Sequence, residues 1–211
     1  MERGERRDGF FALSQISALY QFLQDLLAGD KARRLLLEDH LRPADGMRIL
    51  DVGCGSASLL PYLGAVDYTG LDPNPDHIRN AKQRFATLGR KGQTARFHCA
   101  GADQIRDLAE GHFDLAMSIG VLHHLRDSEA EDLCKSAAAL LAPGGRFVTV
   151  DPAFVAGQHI IAKWLAACDA GQAVRSPQGY SEFFADFAHV RTTVRHDLLR
   201  LPYTHCIIEA Q

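Results

Sequence analysis

Met47-Arg48-Ile49-Leu50-Asp51-Val52-Gly53-Cys54-Gly55-Ser56-Ala57 decides the fold. Met47 to Val52 is the aliphatic, β-branched run of a buried strand. Gly53 and Gly55 mark a sharp turn, where backbone can approach a ligand with no Cβ in the way. Helix-forming residues follow. A strand, a glycine turn and a helix in succession build the ligand crevice of a doubly wound α/β fold, beyond the carboxyl ends of parallel strands.

Spacing narrows the ligand. A dinucleotide fingerprint needs a third glycine where this chain has Ser58, which disfavours a nicotinamide oxidoreductase. Asp51, two residues before the first glycine, would repel a pyrophosphate but suits a ligand with an ammonium group. Asp51-x-Gly53-x-Gly55 resembles the first motif of the class I (Rossmann-like) S-adenosylmethionine (SAM)-dependent methyltransferases, with Ala57 where that family carries a third glycine. The resemblance covers residues 45 to 151 well and the flanks in outline. It implies a seven-stranded, mostly parallel, doubly wound sheet with helices on both faces and an antiparallel last strand between the fifth and sixth. It also implies SAM as cofactor, S-adenosylhomocysteine (SAH) as product, and methyl transfer to oxygen, nitrogen or carbon.

Further along, each strand ends on a residue suited to such a ligand. Val66 to Leu71 is a second strand with Asp72 at its end, about 20 residues past the first acid, where a carboxylate can accept from both ribose hydroxyls. Asn74 caps a helix with Pro75 at its first position, a stripe of Ile78, Ala81, Phe85 and Leu88, and Gly89 at its close. Ala95 to Cys99 is a third strand, followed by Gly101-Ala102-Asp103. In the resembled family an acid in this loop accepts from the adenine amine, which points to Asp103, one residue from its usual register. Phe113 to Ile119 is a fourth strand running into Gly120-Val121-Leu122-His123-His124. Ser128 and Glu131 form a capping box for the next helix, with Leu133, Ala137, Leu140 and Leu141 inward. Pro143-Gly144-Gly145 turns into a fifth strand, Arg146 to Val150, ending at Asp151. Residues 156 to 168 are helical with Trp164 as core, and Gly171 to Gly179 is a loop. Ser181 caps a short helix with Phe183 and Phe184, and 189 to 196 and 204 to 209 are the last strands.

The resemblance therefore implies a cofactor set of Asp51, Gly53, Cys54, Gly55, Asp72, Pro73, Ala102, Asp103, Ser118, Ile119 and His123. His123 is also the candidate catalytic residue, since an imidazole titrates near working pH and can take a proton from an acceptor. The alternative is that His123 and His124 are both structural, because proximity can suffice for this reaction. Tyr20, His124, His159, Arg175, Tyr180, Tyr203 and His205 are candidate acceptor contacts in the loops and flanking helices, set against the alternative of solvated loop and strand-start residues. Arg195 and His196 read as surface.

Composition sets the outer bounds. The 211 residues amount to one domain, 46% hydrophobic and 23% charged, with a formal net charge of −3, so nothing favours nucleic acid as a partner. Five cysteines stand singly, with no paired spacing for a metal or a disulfide framework, in keeping with a reducing cytoplasmic setting. No stretch approaches the roughly 18 apolar residues of a membrane span. Residues 1–44 form an N-terminal helical cover: a helix over 10 to 28 with Leu13, Ile16, Leu19, Tyr20, Leu23, Leu26 and Leu27 on one face, and a second from Asp30 to Leu41, ended by Pro43. They either pack on the sheet or close over an acceptor, and are a candidate homodimer surface. Residues 45–211 form the SAM-binding domain. The expectation is a small-molecule methyltransferase; an RNA or protein methyltransferase and a catalytically silent SAM-binding subunit are the alternatives.

Overall fold

The structure is a computed structural model, describing residues 32–108, 111–168 and 173–211. The helix expected over 10 to 28, with Tyr20, lies outside the described residues. Helix α1 covers 32–41, and its last six residues, Leu36–Leu41, wind as a π-helix. Arg42 then turns left-handed (φ 40°) and returns its N–H to the Leu37 carbonyl ahead of Pro43.

The alternation legible in the sequence becomes β1 (Arg48–Val52), β2 (Asp67–Asp72), α2 (Pro75–Leu88), β3 (Thr94–Cys99), α3 (Ile105–Leu108), β4 (Phe113–Ile119), α4 (Asp127–Leu140) and β5 (Leu141–Pro152). It continues through α5 (Ile160–Cys168), α6 (Pro177–Ser181), β6 (Val190–Arg195) and β7 (His205–Ala210). The seven strands form one sheet in the order β3-β2-β1-β4-β5-β7-β6. β1 pairs parallel with β2 and β4, while β7 is antiparallel to both β5 and β6. This is the topology expected.

Period-two alternation sends side chains to two cores. Leu50, Val52, Ala116, Phe147 and Ile208 pack beneath Leu133, Cys134 and Ala137 of α4. Ile49, Leu115, Met117, Val148 and Ile207 meet Leu41 of α1 and Ile78 and Ala81 of α2 on the other face. Across the lower edge, His40 Nδ1 lies 3.0 Å from Glu209, and Arg146 donates to the carbonyls of His40, Leu41 and Arg42, tying α1 to the sheet.

Several local expectations are corrected. Leu88 is exposed because α2 ends there, past the sheet. The α4 cap lies earlier than Ser128 and Glu131: Glu129 accepts from the Arg126 N–H at 2.9 Å, since the helix begins at Asp127. Pro143-Gly144-Gly145 is no separate turn but a bulge inside β5, where Phe113 and Leu115 of β4 face Leu141 and Arg146. Ser176, not Ser181, caps the helix before Phe183, accepting from Gly179 N–H at 3.1 Å; Ser181 donates to the Gln178 carbonyl instead. Trp164 is 63% exposed, with Ile160 and Ile161, because α5 turns its small Ala162 and Ala166 inward. Arg195 is held by Asp197 and Asp39 and touches the His40 ring, so it is no free surface cation.

Candidate cofactor and acceptor site

At the carboxyl ends of β1 and β2 two acids converge on the glycine turn. Gly53 and Cys54 both donate to the Leu71 carbonyl, fixing the turn against β2. Gly53 has φ +76°, and a Cβ there would sit 2.3 Å from Val121 Cγ2, so only glycine fits. Gly55 (φ +52°) has open space where a Cβ would be. Ala57 also adopts a left-handed φ of 52° while fully buried, which explains in backbone terms why a glycine is at home there. Arg84 secures the far end of the turn by donating to the Ser56 carbonyl at 3.0 Å.

Asp72 has a structural task in this arrangement. Its Oδ2 accepts from Gly55 N–H and its Oδ1 from Asn74 N–H, each at 2.9 Å, with His77 Nδ1 at 3.1 Å. It thus anchors the turn to the start of α2. Asp51 is equally deep, 6% exposed, and accepts from the Tyr68 hydroxyl at 2.5 Å. Burial, opposed by that hydrogen bond and reinforced by nearby Asp72, pushes its carboxyl up to about 7. Among the described residues no cationic side chain pairs with it. An uncompensated buried carboxylate is costly, and it is a ready seat for a ligand's cation.

The remaining candidates divide. Pro73 is exposed beside Asp72. Ala102 and Asp103 open a 3₁₀ turn, Ala102–Gln104, on an exposed loop, with Asp103 folded toward Gly101. Ser118 is fully buried on the α4 side of β4, its hydroxyl without a hydrogen-bond partner among the described residues; Ile119 packs on the opposite face.

His123 and Asp151 meet where β4 and β5 end. Asp151 Oδ1 accepts from His123 Nδ1 at 2.8 Å and from the His123 N–H at 3.2 Å. A carboxylate only accepts, so Nδ1 carries the proton and Nε2 the lone pair of the neutral ring. Asp151 Oδ2 is buried with no hydrogen-bond partner among the described residues. His124 is exposed and its ring lies tilted against that of His123, centroids 3.9 Å apart. In the sequence Asp151 stands only as the end of a strand; an acid closing β5, with a histidine after β4, is the signal there for the pair.

Several of the expected acceptor contacts are tied into the framework. Arg175 donates to the carbonyls of Leu122, Ala173 and Leu125 and to Asp127, clamping the His123 turn. Tyr180 is buried and donates to the Pro152 carbonyl at 2.9 Å. Tyr203 is buried with His205 against its ring. His159 is exposed and accepts from Ile161 N–H at the start of α5.

The architecture is that of the class I methyltransferases, as the resemblance implied. Residues 49–145, a little under half of the chain, match a family model described as a methyltransferase domain. The chain is 29% identical over 108 residues to a ubiquinone biosynthesis O-methyltransferase of Caulobacter sp. (strain K31), covering 50% of this chain and 41% of that one. An O-methyltransferase of Pyrenophora dematioidea is 32% identical over 123 residues, covering 56% and 45%. The chain thus spans about half the length of the curated relatives it matches. Among solved structures, magnesium protoporphyrin IX methyltransferase of Synechocystis with bound SAH aligns with a TM-score of 0.63 at 22% identity, over 86% of this chain and 80% of that one. Human N-acetylserotonin methyltransferase in complex with SAM aligns with a TM-score of 0.68 at 17% identity, over 94% and 56%.

Proposed function

We propose that this chain is a SAM-dependent methyltransferase acting on a small molecule, with oxygen as the acceptor atom. The observation that carries the reading is Asp51: a buried carboxylate with no cationic partner among the described residues, beside a left-handed glycine turn. The matched methyltransferase domain and the O-methyltransferase relatives support the activity and the choice of oxygen.

In this reading Asp51 receives the cofactor's ammonium and the backbone of Gly53, Cys54 and Gly55 lies against its amino-acid part. Asp72, beside Pro73, holds the ribose while keeping Gly55 in place, and Ala102 and Asp103 meet the adenine. Ile119 lines the crevice from β4, and Ser118 contributes backbone alone. When bound, the cofactor supplies a methyl on positively charged sulfur, an already activated carbon. What remains for the protein is alignment and proton removal. Asp151 orients His123 so that Nε2 takes the acceptor's hydroxyl proton, and Arg175 holds the turn that carries His123. His124 stands beside it at the acceptor.

Residues 1–44 act as the cover of the acceptor site, and Tyr20 is the acceptor contact they bring; the same residues are the surface for a homodimer. No helix among the described residues is long and apolar enough to cross a membrane; a cytoplasmic location is part of this proposal. Incubation with methyl-labelled SAM and a panel of phenols, carboxylic acids and amines tests the function. Label on a hydroxyl acceptor, lost in His123→Ala, supports it. SAM binding with no transfer to any small molecule points instead to a silent subunit or a macromolecular acceptor.

A further inference from the structure

Asp51 and Tyr68 are built into one unit. In the β1–β2 register Asp51 faces Gly70, and a Cβ on Gly70 would sit 2.8 Å from Tyr68 Cε1 and 2.9 Å from Cys54 Sγ. The glycine leaves the room through which the Tyr68 ring crosses to the carboxylate, and its hydroxyl donates at 2.5 Å. Both residues are buried, Tyr68 completely.

Among the described residues, the groups around them offer no positive charge. Tyr68 and Asp72 approach from β2 and Cys54 from the turn, its thiol kept protonated by burial and the two acids. Met117 stands opposite on β4. His77 of α2 is spent on Asp72, and Arg84 on Ser56. A carboxylate so placed is costly to ionise until a cation arrives.

We propose that the Asp51–Tyr68 pair is a proton-release element: it stores a proton in the empty crevice and surrenders it to solvent when a ligand's α-ammonium docks. The inference rests on the reading of the crevice as a SAM and SAH site. The step balances: the carboxylic acid loses its proton to buffer, and the resulting carboxylate pairs with the ammonium. Tyr68 is the positioning residue, because its hydroxyl favours the ionised acid and so sets the pH at which the proton leaves.

The test is calorimetric titration with SAH at fixed pH in buffers of different ionisation enthalpy, which counts protons released per ligand bound. Near pH 6 most of one proton should be released, falling toward none above pH 8.5. Affinity at pH 5.5 should be about thirtyfold weaker than at pH 8.5, as expected for one group titrating about 7. Methylthioadenosine, the same nucleoside thioether without the amino acid, should release none of that proton. Asp51→Asn should abolish the release, and Tyr68→Phe should move its window to higher pH. SAH binding without proton release, equal release with methylthioadenosine, or an unmoved window in Tyr68→Phe overturns the inference and leaves the cofactor reading standing. Failure of SAH to bind the folded protein overturns both.

Discussion

His123 Nδ1 lies 2.8 Å from Asp151 Oδ1, although the two residues are 28 apart in sequence and reach the site from the turn after β4 and from the end of β5. Both side chains are at most 5% exposed, so the contact is unscreened by water. Asp151→Asn keeps the shape but loses the charge that stabilises a protonated imidazole. Turnover should fall about 10²-fold or more, and the pH-rate profile should shift. Unchanged turnover with an unchanged profile would make the pair purely structural.

Ala57 is an L-residue in a left-handed backbone, a conformation that costs on the order of 1 kcal/mol. Ala57→Gly should therefore keep or raise stability by up to about 1 kcal/mol, even after the lost methyl contact. Ala57→Val, branched and in the same φ, should lower it by roughly 2 kcal/mol or more. Urea melts of the pair decide it: a more stable valine variant would show that the turn is not held as described.

The ligand-free protein should lose stability as pH rises through neutrality. The Asp51 carboxyl lies near 7 when folded against an ordinary 3.8. Its contribution is complete below pH 4 and disappears as pH climbs through 7. Between pH 5 and 8 this amounts to about 2–3 kcal/mol. Asp51→Asn should flatten that slope; an identical slope in the variant would remove Asp51 as its origin.

Arg175 separates a framework role from an acceptor role. Arg175→Ala strands the carbonyls of Leu122 and Leu125 and should cost about 2–4 kcal/mol of stability, with faster amide exchange around His123. A variant of unchanged stability and raised acceptor KM would show that the guanidinium meets the acceptor after all.

Much of this was readable in the chain because it depends on local chemistry. Asn74 before Pro75 declares a helix start, and Asp51-x-Gly53-x-Gly55 declares a strand and a turn, without reference to any distant residue. Other features depend on contacts that spacing does not encode. Arg175 sits in a stretch that reads as an acceptor loop, and its task emerges once Leu122 and Leu125 present their carbonyls to it. Tyr68 passes for an ordinary strand aromatic until Gly70 opens the way to Asp51. Trp164 belongs to a helix, Ile160–Cys168, that is apolar on nearly every side. Residue type pulls it inward, whereas the small Ala162 and Ala166 are the residues the helix buries.

The most direct measurement is titration of the folded protein with SAM by calorimetry at pH 8, alongside Asp72→Ala. The account predicts one molecule bound per chain, weakened at least about tenfold when Asp72 no longer fixes Gly55 and the ribose. A folded protein that binds neither SAM nor SAH would contradict it.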